Sequence, residues 1–143
     1  MTQLDQFLAR AEQLLNRLEN ILPVATAAPD WRMGSAFRWR KRGGQGYLQV
    51  VKHVSVISLD DLQNIHIQKT KIEQNTRQFV HGKMANNVLL TGARGTGKSS
   101  LIKACLNQLA DQGLRLIEVD KADMADLSDI VDLVAERPER FII

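Results

Sequence analysis

Leu4, Phe7, Leu8, Ala11, Leu14, Leu15, Leu18, Ile21 and Leu22 recur at spacings of three and four. That spacing predicts an amphipathic helix over residues 3–22 with a single apolar stripe. Thr2 is placed to cap its start and Pro23 to stop it. Arg10, Glu12, Gln13, Arg17 and Glu19 fall off the stripe. So short a helix is marginal alone, and its stripe needs a partner, either the rest of the domain or a helix outside it.

Residues 24–46 break the periodicity. Pro29, Gly34, Gly43, Gly44 and Gly46 lie there among small and basic residues, and the stretch is expected to be a linker or extended arm, not a core. Residues 47–57 then alternate and are rich in valine, which predicts a strand or a hairpin. Asp60 or Asp61 is expected to cap a short turn. Leu62, Ile65, Ile72, Phe79 and Val80 give a second helical stripe, stopped by Gly82. Asn87-Val88-Leu89-Leu90-Thr91 predicts a short buried strand. A glycine loop follows, then a helix from Lys98 to about Gln112, a strand over 114–119, a helix over 126–137 and a further strand opening at Phe141. Strand, helix, strand, helix, strand is an α/β doubly wound pattern. Three parts are expected: an amphipathic helix (1–23), a basic glycine-containing linker and strand (24–57), and an α/β domain (58–143).

Charge changes this picture through its placement. The net charge is only +3, yet residues 1–50 carry +3, residues 51–100 carry +4 and residues 101–143 carry −4. Arg38, Arg40, Lys41 and Arg42, interleaved with Phe37 and Trp39, form the densest basic run. Nucleic-acid contact is open to such a run, but a solvated loop or strand edge is favoured. Asp120, Asp123, Asp126, Asp129 and Asp132 are expected to form a solvated helix start and face. Asp120-Lys121-Ala122-Asp123 approaches the guanine-reading motif of GTPases. It has aspartate where asparagine or threonine is needed, and no switch motif precedes it.

No apolar run approaches a membrane span, and the start of the chain has no secretory pattern. A cytoplasmic protein without membrane partners is expected. The one cysteine, Cys105, lies on the buried face of its helix with Leu101, Ile102, Leu106 and Leu109, as a core residue and not a nucleophile. His53, His66 and His81 have no ligand spacing, so no metal is assigned to them.

Gly92-Ala93-Arg94-Gly95-Thr96-Gly97-Lys98-Ser99 fits G-x-x-x-x-G-K-[ST] at every fixed position. The three glycines allow a backbone closed to other residues. Successive N–H groups can cradle a phosphate, and the following helix adds its positive end. Lys98 has the reach for β- and γ-phosphate oxygens, and the Ser99 hydroxyl can ligate Mg2+. Thr96 and Ser100 are expected to contribute backbone N–H groups, and Arg94 to sit at the loop tip. The nucleotide site is therefore assigned to Gly92, Ala93, Arg94, Gly95, Thr96, Gly97, Lys98, Ser99 and Ser100, with Ser99 as metal ligand.

Leu59-Asp60-Asp61-Leu62, Gln68-Lys69, Asn75-Thr76 and Phe79, ahead of Asn86-Asn87-Val88-Leu89-Leu90 and the loop, resemble the lead-in of AAA+ ATPases. Ala36-Phe37-Arg38-Trp39-Arg40, Gly43-Gly44, Gly46-Tyr47-Leu48 and 112–119 resemble more closely a bacterial family of predicted AAA+ ATPases without assigned role, domain-of-unknown-function family 815. The resemblance runs from about Ala36 to the end. It implies a three-layer P-loop NTPase core, ATP with Mg2+, and adenine near Asn64, Ile65 and His66, where AAA+ proteins usually have glycine at the Asn64 position. It also implies strand order 5-1-4-3-2. In that order, Arg140-Phe141-Ile142-Ile143 would begin a strand that ends in the carboxylates needed for hydrolysis. The core is then expected to be incomplete at its C-terminus, with an exposed sheet edge and low stability. The alternatives are a nucleotide-binding fragment that does not hydrolyse, or an interaction protein using residues 3–22, for self-association or a helix partner, and the basic run.

Overall fold

The computed structural model describes residues 3–21 and 28–143; the expected Thr2 cap and Pro23 stop lie outside them. Among the described residues, four α-helices and a four-stranded sheet form a mixed α/β architecture. The helices are α1 (Gln3–Ile21), α2 (His66–Val80), α3 (Lys98–Leu109) and α4 (Leu127–Val134). The strands are β1 (Ala36–Arg42), β2 (Gln45–Val50), β3 (Leu114–Glu118) and β4 (Arg140–Ile142), in spatial order β2-β1-β3-β4. β1 and β2 pair antiparallel, while β1–β3 and β3–β4 pair parallel.

Side chains alternate across this sheet, as strand geometry requires. On one face Trp31, Phe37, Trp39, Leu48 and Ile117 pack with Ile130 of α4. On the other, Ala36, Leu114 and Leu116 pack with Leu106 and Leu109 of α3, and Phe79 and Val80 of α2 lean on them. A third cluster, Leu59, Leu62, Leu101, Ala104 and Cys105, joins the segment before α2 to α3. A helix layer therefore lies on each face of the sheet. Among the described residues no helix is long and apolar enough to cross a membrane.

Several expectations need correction. The stretch read as a linker is central to the sheet. Gly43 and Gly44, both at positive φ, are the tight turn of the β1–β2 hairpin, whose twist favours glycine there. Trp31 stacks edge-on against Phe37 and Phe141, with ring centroids 4.7 and 5.0 Å away. The hairpin also moves the second strand upstream of its expected place: it spans 45–50, and 51–58 has no regular structure.

Residues 87–91 are not a buried strand. Leu89 is 86% exposed, and Leu90 alone reaches the core, against the Leu59 cluster. A strand needs a neighbour for its backbone groups, and both sides of β3 are taken by β1 and β4. The segment is held instead by α2. The Asn75 amide donates to Asn86 O and accepts from Asn86 N, both at 2.8 Å. The turn before α2 also has a different cap. Ser58 accepts from the Asp60 N–H, and Asp61 accepts from the Ser58 N–H, a reciprocal capping box.

A further correction concerns charge. The basic run of β1 docks onto the end of β3 and the acidic segment that follows it. Arg38 meets Glu118 at 2.6 Å, Arg40 meets Asp120 at 3.8 Å, and Lys41 bridges Asp126 at 2.7 Å and Asp123 at 3.5 Å. The Trp39 indole N–H donates to Asp126 at 2.9 Å. Asp120, Asp123 and Asp126 are thus partners of β1 and not merely a solvated helix start, because parallel pairing sets Arg38 directly opposite Glu118.

The Lys41 ammonium, aided by the Trp39 N–H, holds the Asp126 carboxyl below the usual carboxylate range. A depressed folded-state value stabilises fully above the unfolded value of about 4 and less as pH falls through the folded value. Asp126→Asn is therefore expected to flatten the acid side of a plot of Tm against pH, with the two proteins diverging least near pH 3. Parallel acid limbs would contradict the pairing.

Candidate functional site

The glycine loop connects residues 87–91 to α3. Gly92, Gly95 and Gly97 all have positive φ, at 138°, 84° and 85°. An L side chain rarely adopts such angles. Gly97 is the residue from which α3 starts, and no side chain caps that helix. Among the described residues, the N–H groups of Gly95, Gly97, Lys98, Ser99 and Ser100 have no hydrogen-bond acceptor within the protein. The loop thus presents a row of donors at the positive end of a twelve-residue helix.

Lys98 turns back over the loop. Its ammonium donates to Gly92 O at 2.8 Å, Ala93 O at 2.6 Å and Thr96 Oγ1 at 3.2 Å. Thr96 Oγ1 donates in turn to Ala93 O at 2.9 Å. Thr96 therefore engages the loop through its side chain, a role its motif position does not reveal. A Cβ on Gly92 would stand 3.3 Å from that hydroxyl, so the first glycine is tight against the lysine-binding knot.

A cleft of about 250 Å3 adjoins the loop, lined by Gly92, Thr96, Gly97 and Lys98 together with Ile65, Gln68, Leu90, Thr91 and Leu101. The structure brings Ile65 to the loop. Asn64 and His66 are exposed and outside the lining, as are Ala93, Arg94, Gly95 and Ser99; half-buried Ser100 lies outside it too. Gln68 faces the cleft one helical turn after Ile65, a spacing that could have flagged it. Asn64 has φ of 62°. Asparagine is among the few residues besides glycine that tolerate this region, so the chain keeps the backbone shape while lacking the glycine. None of the cleft's lining residues is acidic.

Behind the loop, Leu101, Ala104, Cys105, Leu106 and Leu109 bury one side of α3. Cys105 is 1% exposed, and burial, with Glu73 nearby, pushes its thiol up to about 11. It is a core residue that holds the loop's helix in place.

The family described as protein of unknown function (DUF815) matches residues 32–143, from just after Trp31 through the hairpin, the loop and β4. The chain belongs to DUF815. No curated protein and no solved structure matches it. The DUF815 region excludes α1 and includes the hairpin, so the family boundary follows the sheet and not the glycine-rich stretch.

Proposed function

We propose that the loop from Gly92 to Gly97, with Lys98, Ser99 and Ser100, is a nucleotide phosphate site, and that its ligand is ATP with Mg2+. The observation that carries this reading is the loop itself. Three positive-φ glycines leave backbone donors without acceptors at the start of α3, and the Lys98 ammonium is centred on the same loop. An anion with several oxygens satisfies those donors and exchanges with the carbonyls that Lys98 now holds. Ile65, Leu90 and Leu101 give the adjoining cleft apolar walls suited to a planar base. The likeness of the lead-in to AAA+ ATPases favours adenine and a P-loop NTPase core, and a cytoplasmic setting fits that ligand.

Each residue has a definite task under this reading. The N–H groups orient the phosphates, Lys98 neutralises their charge, and Ser99 offers its hydroxyl to the metal. Mg2+, when bound, would draw negative charge from the phosphate oxygens. Hydrolysis needs a carboxylate to position water, and none is among the lining residues, so the reading covers ATP binding, with hydrolysis expected only where such a carboxylate is supplied. The rival reading, contact with nucleic acid through residues 37–42, is disfavoured because Arg38, Arg40 and Lys41 are engaged by Glu118, Asp120, Asp123 and Asp126.

The test is a titration with a fluorescent ATP analogue, with Mg2+ and with chelator. Mg2+ is expected to tighten binding to the native chain. Ser99→Ala is expected to keep the metal-free affinity and to lose the gain from Mg2+, about tenfold for one charge-assisted contact. An unchanged Mg2+ effect in Ser99→Ala would remove Ser99 from the site.

A further inference from the structure

α1 presents an apolar stripe that no other element among the described residues covers. Leu4, Phe7, Leu8, Leu14, Leu15 and Leu18 are each more than half exposed. Leu4, Leu8, Ala11, Leu15 and Leu18 follow alternating steps of four and three, the 3.5-residue repeat of paired helices. Phe7 and Leu14, seven apart, widen the same face.

The borders of the stripe carry opposite charges. At 100° per residue, Asp5 and Glu12 fall along one border, and Arg10 and Arg17 along the other. This arrangement selects both the occupant and its direction. When two identical helices are related by a two-fold axis parallel to them, the acidic border of each lies beside the basic border of its neighbour. When the axis is perpendicular, the helices run antiparallel, and acidic border meets acidic and basic meets basic. The first arrangement attracts on both sides of the seam, and the second repels on both. A membrane-surface helix would instead carry basic residues along both borders.

We propose that α1 packs in parallel and in register against α1 of a second copy of this chain, with Asp5 and Glu12 of each copy facing Arg10 and Arg17 of the other. The substituted positions are exposed, so the folded body should tolerate the changes.

Disulfide trapping in the full chain tests this. Cys105, the sole native thiol, is buried and should stay silent. Under mild oxidation, Leu18→Cys is expected to cross-link to itself. Adding Arg10→Glu and Arg17→Glu should slow that reaction about tenfold, as the loss of several exposed ion pairs implies. Mixing that chain with Leu18→Cys carrying Asp5→Arg and Glu12→Arg should restore the original rate, now as mixed dimers. Cross-linking of Leu18→Cys that is indifferent to the charge reversals would overturn the proposal. So would cross-linking found only between Leu4→Cys and Leu18→Cys chains, the antiparallel outcome, or a sedimentation mass of one chain for the native protein.

Discussion

Gly46→Val is expected to destabilise the protein by about 3 kcal/mol, as overpacking of a closed core does. Gly46 lies in β2 beneath the Trp39 ring. A Cβ there would stand 1.8 Å from Trp39 Cζ2 and 2.4 Å from Cη2, distances no pair of non-bonded carbon atoms sustains. Trp39 has little freedom to yield. It is 3% exposed, and its indole N–H is bonded to Asp126, which also holds Lys41. Displacing the ring opens the α4 face of the core and breaks the link between the hairpin and the acidic segment together. Urea unfolding followed by far-UV circular dichroism measures the effect. Combining the change with Trp39→Leu should make it much smaller, because the clash and the ring disappear together. A loss below about 0.5 kcal/mol, the range of ordinary surface substitutions, would mean that β2 is not packed as described.

That prediction rests on the hairpin, the part of the fold least legible in the sequence. Three glycines within four residues looked like a linker because glycine marks both flexible chain and tight turns. Gly43 and Gly44 form the turn, and Gly46 makes room for a ring. The strand signal was nevertheless present: Ala36, Phe37 and Trp39 are buried, while Arg38 and Arg40 point to their partners. Basic residues at alternate positions disguised it, since their acidic partners lie about eighty residues away along the chain. The helices were legible for the opposite reason. Stripes of period 3.6 ending at Gly82 and Gly113 are local signals, and α2 and α3 occupy those places. Residues 87–91 show the converse limit: an apolar run specifies burial pressure but names no neighbouring strand. In the site, the motif located the loop and Lys98. The lysine's contacts with the loop carbonyls and the Gln68 wall depend on packing that no motif encodes.

The second large effect is expected at Lys98. Its ammonium is the one charged group among the cleft-lining residues, and it is already held within hydrogen-bond distance of the loop carbonyls. A phosphate bound by the backbone donors would lie beside it. A charge-assisted hydrogen bond contributes about 1.5–3 kcal/mol, so Lys98→Ala should weaken ATP binding by roughly ten- to a hundredfold. The fold should tolerate the change, because the Lys98 hydrogen bonds lie at the exposed loop and its side chain takes no part in the core. Lys98→Arg should not rescue fully, since a planar guanidinium cannot replace a compact ammonium among three converging oxygens.

The most direct measurement is isothermal titration calorimetry of ATP with Mg2+ into the 143-residue chain and its Lys98→Ala variant, both first shown by circular dichroism to be folded. The nucleotide-site account predicts saturable binding at one site in the native chain and a loss of at least about tenfold in the variant. Equal affinities in the two proteins, or no heat of binding in the native one, would contradict it.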